Sequence, residues 1–430
     1  MAQVIAGASS AKAQPWRSRS LFAGYGALVP DPNGLLDLPR GFQYRVLTRA
    51  GDTMTHHGRS PSGHDGMAAF PGGLFGTFLV RNHELNPEDV AEEGLIAVPQ
   101  VRGHVYDPAA SGGTTTLLVA RDRKLLVERV SLAGTLDNCA GGPSPWRTWL
   151  TCEESTDSLD KPHGYVFEVD PILGGNARPI IPMGRFEHEA VSFDRAGNAY
   201  LTEDASGPFG CFYRFQPKRP HGGHGSLHAG GTLEALSVIG IEGDLSAAAE
   251  QGAIYDVKWV PVANVNPGDD DTPVREQAIE AGATPIPKCE GTWLGVDGSI
   301  WFVSSRGDGP DAEDEEDRSV GLNAGQIWRF DPFDQTIELV VLLPHGSPYD
   351  QPDNITSSPH GFALACTDGD DDQWLIAFGE DGAVYPFAKN ALNDQEFAGA
   401  TFSPDGDTLF VNIQTPGITL AVWGPWRARR

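Results

Sequence analysis

A thiol and a pair of carboxylates around one strand carry the most chemistry in this chain. In NCAGGPSPWRTWLTCEE (138–154), Cys139 precedes a Gly-Gly-Pro turn signal. The run Trp-Arg-Thr-Trp-Leu follows, of the bulky and β-branched kind that strands favour. It leads into Glu153 and Glu154, where neutral turn residues are expected. Such a set is either a metal site or a solvated turn beside a buried cysteine. The spacing recurs: Cys139 and Glu153, Glu189 and Glu203, Glu290 and Ser304, and Asn354 and Asp368 each lie fourteen apart. Asp65 and Glu84 form a looser equivalent.

Residues at such spacing meet only if the chain brings its repeats around a common axis. A ring of like charges in a confined space must then be partly protonated or hold cations. Carboxylate oxygens suit calcium or magnesium, whereas a thiolate among carboxylates suits a transition metal such as iron or zinc. The alternative is that each acid only caps turn amides where a repeat ends.

The elements that would position these residues read as repeated β-hairpins. Beside residues 139–154 stand EAVSFDRAGNAYLTED (189–204), EGTWLGVDGSIWFVSS (290–305), NITSSPHGFALACTDG (354–369) and AGATFSPDGDTLFVNI (398–413). DGMAAFPGGLFGTFLVRNHE (65–84) is a looser copy. Each has a strand-like run, a turn rich in Gly, Pro or Asp, and a second run. Runs such as GYVFEVDP, CFYRFQP and GQIWRFDP supply outer strands. Six such units predict an all-β fold, a six-bladed β-propeller, over a two-sheet sandwich. The domain spans 36–430 after an N-terminal extension (1–35), and residues 217–286 read as an inserted loop or lid. In a propeller the start of one strand and the end of the next share a face. The acids and the thiol are therefore expected at one mouth of the central channel.

Bulk properties set limits. The net charge of −27 opposes nucleic acid or an anionic membrane as partner. No eighteen-residue apolar stretch exists to span a membrane. The acid-rich runs DGPDAEDEED and NPGDDDTP read as solvated loops, or as weak divalent-ion binders. The five cysteines form no C-x-x-C pair and no disulfide framework. The first thirteen residues end in an A-x-A pattern; they are the tail of an export signal or an ordinary terminus. A phosphate-binding G-x-x-x-x-G-K-[ST] loop and an H-E-x-x-H zinc motif are both missing.

From LDLPRGFQYRVL (36–47) to GPW (424–426) the chain resembles the PhoX-type alkaline phosphatases, above all a shorter branch of that family. The resemblance rests on DGMAAF, RNHE, NCAGG with PW and TWLTCEE, GRF-x-HEAV, YLTED, DNI and FSPDGDTLFVNIQTPG. It implies a periplasmic or secreted monomer, a six-bladed propeller that hydrolyses small-molecule phosphate esters with Fe3+ and Ca2+ at the channel mouth. Cys139 would be the iron-ligating thiolate, with Glu154, Glu189 and Glu290 among the metal ligands and Glu153 beside them. Asp65 and Glu84 are weaker calcium candidates on the repeat geometry. Two departures stand out. Lys288 replaces an arginine two residues before Glu290, exchanging a bidentate fork for a point charge. Thr367 replaces a glutamate in CTDG, leaving Asp368. Lys288 and Arg185 are the candidate cations for phosphoryl oxygens, alongside Glu290, and His83 and His188 are candidate proton donors. Arg185 as a structural ion-pair partner and the histidines as blade-edge hydrogen bonders are the plainer readings. Two other functions fit the scaffold: a calcium-dependent lactonase or esterase using Asn138, Asn354 and Glu290, and a non-catalytic metal-stabilised platform.

Overall fold

Short apolar runs broken by Asp- and Gly-containing turns close into antiparallel hairpins, as EAVSFDRAGNAYLTED shows. His188–Phe193 pairs with Ala199–Glu203. The Asp194 carboxylate closes their turn by accepting from the Asn198 amide at 2.9 Å and the Tyr200 hydroxyl at 3.0 Å. A computed structural model describes residues 22–306, 322–369 and 371–426.

The strands fall into four-stranded antiparallel blades. Blade one is His64–Pro71, Thr77–His83, Gly112–Val119 and Leu125–Thr135; blade two is Gly141–Pro143, Trp149–Cys152, Val166–Asp170 and Gly174–Pro179. Blade three adds Phe212–Pro217 and Gly231–Val238 to the hairpin above. Blade four is Thr292–Leu294, Ile300–Ser304, Gln326–Asp331 and Thr336–Leu342; blade five is Pro352–Ser357, Ala363–Thr367, Trp374–Phe378 and Val384–Asn390. Blade six takes Phe397–Phe402, Leu409–Ile413 and Ile418–Trp423 from the C-terminal end, and its outer strand, Gln43–Arg49, from the N-terminal end. That exchange clasps the two ends of the chain together. The first strands of the blades touch in sequence and the last touches the first, so the ring is closed and the fold is an all-β propeller.

Apolar side chains pack between neighbouring blades. Between blades three and four, Phe212 stacks on Phe302 with ring centroids 4.5 Å apart, and Trp328 and Phe330 are fully buried beside them. Each such aromatic contributes about 2–3 kcal/mol by leaving water. Along the axis the first strands come so close that only small residues fit. A Cβ on Gly66 would lie 2.5 Å from Ala140 Cα, and one on Gly142 would lie 1.5 Å from the Val191 carbonyl oxygen. The axial cavity is consequently only about 20 Å³.

Residues 217–286 differ from the loop or lid expected of them. They contain Gly231–Val238, the fourth strand of blade three, and Ile254–Pro261, which pairs with that strand and with Thr336–Leu342 to join blades three and four into one nine-stranded sheet. The Gly, His and Asp content that suggested a loop lies between these strands. The N-terminal segment is likewise docked from Phe22 onward. Leu36–Pro39 pairs with Val384–Asn390, and Phe22 stacks on Phe362 at 4.6 Å. The A-x-A segment and DGPDAEDEED lie outside the described residues. No described helix is long and apolar enough to cross a membrane. All five cysteines are buried and unpaired with one another.

Candidate metal centre at the channel mouth

The first strands begin with an irregularity that aims side chains at the axis. In blades one, three and five the pairing register slips by one residue just after the strand start, between His64 and Met67, His188 and Val191, and Pro352 and Ile355. The slip is a β-bulge, and a bulge redirects a side chain out of the strand's alternation. The bulges hold Asp65, Glu189 and Asp353. Side chains and amides of neighbouring blades satisfy the backbone groups that leave the ladder. Asn412 Nδ2 donates to Asp65 O at 2.5 Å, the Gly66 amide donates to Cys139 O at 2.9 Å, and Asn82 Nδ2 donates to the same Cys139 O at 2.9 Å.

The result is four ligand sets at one mouth, three of them sharing members. Four triads have one donor atom per residue, all within 4.8 Å of one another: Cys139–Glu154–Glu189, Glu189–Glu290–Asp353, Glu154–Asp204–Glu290 and Asp65–Glu84–Glu396. Glu154, Glu189 and Glu290 each serve two sets. Burial, then the neighbouring Asp353 and Glu290 charges, push the Glu189 carboxyl well above the usual range. Burial and Asp204 do the same to Glu154 and Glu290. Asp353 is pushed up to about 6, chiefly by burial, and Asp368 to about 7 by burial and the Asp353 charge. The Cys139 thiol is raised by burial and by Glu189; its Sγ lies 3.3 Å from His188 O. Lys288 is the cation inside the cluster, with Nζ 2.5 Å from Asp204 Oδ2 and 3.4 Å from Glu290 Oε1. The Glu290 charge, foremost, holds its ammonium protonated beyond the usual lysine range.

At the mouth the repeat is fifteen, where fourteen is expected, and in blades three and five the bulge accounts for the extra residue. Cys139 and Glu154, Glu189 and Asp204, Glu290 and Ser305, and Asp353 and Asp368 are the pairs at the mouth, each fifteen apart. The residue before each outer member turns into the blade instead and is fully buried. Glu153 therefore stands apart from the cluster. Its carboxylate accepts from the Leu136, Gly164 and Tyr165 amides at 3.0 Å each and sits 2.6 Å from His163 Nδ1. Glu203 likewise pairs with the Tyr213 hydroxyl and with Arg275 at 3.3 Å, and Ser304 donates to Pro287 O. Thr367 occupies the same inward position and donates to Gln373 Oε1 at 2.9 Å. Glu153→Gln should then cost about 2–3 kcal/mol, the worth of hydrogen bonds to a buried charge. Glu154→Gln should leave the cation-free chain as stable or more so, because it removes a repelling charge. Urea unfolding of both variants in chelator reads the difference.

Several other expected residues stand away from the mouth. The Arg185 guanidinium is spent on the His163, Thr156 and Pro267 carbonyls and on Asp269 at 2.6 Å, which makes it a clamp for the loop 266–273. His188 is buried against Phe186 with centroids 3.5 Å apart, and burial lowers its pKa to about 3, so it stays neutral. His83 is enclosed between Ser62 O and Thr115 Oγ1. Asn138 is held between Thr135 of blade one and Thr151 of blade two, accepting from the first hydroxyl and donating to the second at 2.9 Å, so its amide is spent within the blades. Asp204, Asp353 and Glu396 were missed by the spacing. The second acid of each pair in TCEE and TED carried the signal for Glu154 and Asp204, while Glu396 lies before the strand start and had none.

The geometry can be set beside known proteins. The family model for alkaline phosphatase PhoX matches residues 23–131 and 125–417. The structure of Pseudomonas fluorescens PhoX in complex with vanadate, a transition state analogue, superposes with a TM-score of 0.70 at 17% identity, covering 94% of this chain and 97% of that one. Virginiamycin B lyase from Staphylococcus aureus (TM-score 0.42, 10% identity, 89% and 99% covered) is a more distant match. A gluconolactonase from Xanthomonas campestris (TM-score 0.41, 12% identity, 93% and 98% covered) is another. No curated protein shows significant sequence similarity to the chain. With its family model matched along nearly the whole propeller, the chain belongs to the PhoX alkaline phosphatase family.

Proposed function

We propose that the chain is a metal-dependent phosphatase that hydrolyses phosphate monoesters at the acidic mouth. One observation carries the reading: eight carboxylates and a thiol in four sets, three of which share members, with Lys288 set against Asp204 and Glu290. Such a set cannot stay ionised without cations, and its chemistry fits them. Cys139, Glu154 and Glu189 offer the mixed sulfur and oxygen donors that suit Fe3+. The all-oxygen sets around Glu290, Asp204, Asp353, Asp65, Glu84 and Glu396 suit Ca2+. Bound there, the cations would offset phosphate charge and acidify water for attack on phosphorus.

The chain's own side chains do the rest. Carboxylates fixed on bulged strand starts hold the donor geometry rigid, since their backbones are tied across blades. Lys288 turns its ammonium toward the mouth between Asp204 and Glu290, where it donates to a phosphoryl oxygen as a point charge. The closed axial channel keeps the site open on one side only. Calcium-only lactonase chemistry has no use for Cys139 in the ligand set, which favours the phosphatase. The test is hydrolysis of p-nitrophenyl phosphate by purified protein together with its metal content. Turnover of a lactone but not of the phosphate ester, with no iron bound, would sink the reading. Lys288→Ala should lower kcat/KM by about 10- to 100-fold, the loss of one charged transition-state contact. Lys288→Arg should restore much of it, because a fork replaces the point charge. We place the protein in the periplasm or outside the cell, as the family's export implies; cell fractionation checks this.

A further inference from the structure

We propose that a second pocket, at the opposite end of the channel from the acidic mouth, binds a small amphipathic carboxylate. The first strands of blades two, three and four run away from Cys139, Glu189 and Glu290. Their far ends, Pro143, Phe193 and Leu294, enclose a cavity of about 330 Å³ together with Val191 and Trp293. That volume is at the small end of ligand pockets, and the lining is mostly apolar. The cavity is not continuous with the acidic mouth, since only the 20 Å³ axial gap lies between them.

Charge at the rim selects the head group. Arg195, on the turn that ends the first strand of blade three, is exposed at the cavity. Its guanidinium makes one long contact, 3.5 Å to Val296 O, and no carboxylate neutralises it among the described residues. The adjacent Asp194 is buried and turned toward Asn198 and Tyr200, and it makes no ion pair with this guanidinium. From the other side the segment KRPHGGH (218–224) packs its Pro220 carbonyl against Gly197 and brings His221 to the rim. This segment has two cations and no acid, in a chain whose net charge is −27. An apolar floor beneath an unneutralised guanidinium fits an alkyl or aryl carboxylate with its tail inward. The other polar groups of the lining are bonded within the blades, Ser144 to Thr148, Ser192 to Thr292 and Asp194 to Asn198 and Tyr200, which disfavours a cationic or polyhydroxylated ligand. Leu294 and Val296 are 39% and 69% exposed at this rim, so apolar surface remains for a tail to cover.

Isothermal titration with octanoate tests the proposal on the full chain. One site with Kd on the order of 100 µM is expected for a ligand of this size. Arg195→Glu should weaken binding at least tenfold, and Leu294→Glu, which puts a like charge at the rim, should abolish it. Both positions are exposed, so neither variant endangers folding. Octylammonium should bind at least tenfold more weakly than octanoate. Absence of saturable octanoate binding overturns the proposal, as does equal affinity for octylammonium or unchanged affinity in both variants. Octanoate failing while the chain co-sediments with phosphatidylcholine vesicles would overturn it in favour of a lipid surface.

Discussion

Glu189→Gln is expected to lower kcat/KM for a phosphate monoester by about 10³-fold or more, while the propeller stays folded. Glu189 belongs to two ligand sets, with Cys139 and Glu154 on one side and with Glu290 and Asp353 on the other. Losing its charge therefore weakens two cation positions at once, and loss of one preorganised electrostatic contact already costs about 10²–10³. Folding should not suffer. The carboxyl is held at a raised pKa by burial and by its acidic neighbours, so the neutral amide removes repulsion in the cation-free chain. Cys139→Ala is the companion variant: under the proposed function it should lose iron and keep calcium, whose ligands would be oxygens alone. Elemental analysis, kcat/KM and thermal unfolding on the same preparations separate these effects. Near-normal activity in Glu189→Gln, or full iron content in Cys139→Ala, would remove the mouth as the reaction centre.

The blade repeat was legible because each hairpin carries its own signals, an apolar run on either side of an Asp- or Gly-bearing turn. The gathering of acids from separate blades was legible as well, since chain order and rotation about an axis put strand starts at one end. What failed was a register of one residue. Strand side chains alternate, so a shift of one residue, supplied in blade three by the bulge at Glu189, exchanges which of two adjacent residues faces the axis. Glu153 and Glu203 thus went into the blades, and Glu154 and Asp204 came to the mouth. Asn354 was read for Asp353 for the same reason. Asn354 stays beside the cluster: its Nδ2 donates to Asp353 Oδ1 at 3.2 Å and reaches Glu189 Oε1 at 3.5 Å, while its amide oxygen accepts from the Gly399 amide at 2.6 Å and ties blade five to blade six. A bulge has no composition signature of its own. In blades one and three its trace is the small residue after the ligand, Gly66 and Ala190, and blades two and four have Ala140 and Gly291 at the same place, which the contact of first strands at the axis demands. Glu396 is beyond this logic. Blade six has Gly399 and Ala400 at its bulge, and the acid arrives from before the strand.

Chelation should destabilise the protein, and more so as pH rises. Without cations the mouth carboxyls have folded-state pKa values above those of the unfolded chain, Asp353 at about 6 and Asp368 at about 7, mainly through burial. A carboxyl shifted upward keeps in the folded state a proton that the unfolded chain releases near pH 4. Between those two values the unfolded state binds fewer protons, so stability falls with rising pH. The cation-free fold is thus most favoured by these groups below about pH 4, and loses that advantage as pH passes 7. Cation binding runs the other way, because it requires the deprotonated ligands. Several sites, each filled well above its Kd, add about 4 kcal/mol apiece. The gap in Tm between loaded and chelated protein should then be on the order of 10–15 °C at pH 8 and only a few degrees at pH 5. Scanning calorimetry of EDTA-treated and metal-loaded protein across that range measures it. A gap that stays constant or narrows toward pH 8 would mean that the carboxylates at the mouth are not what the cations neutralise.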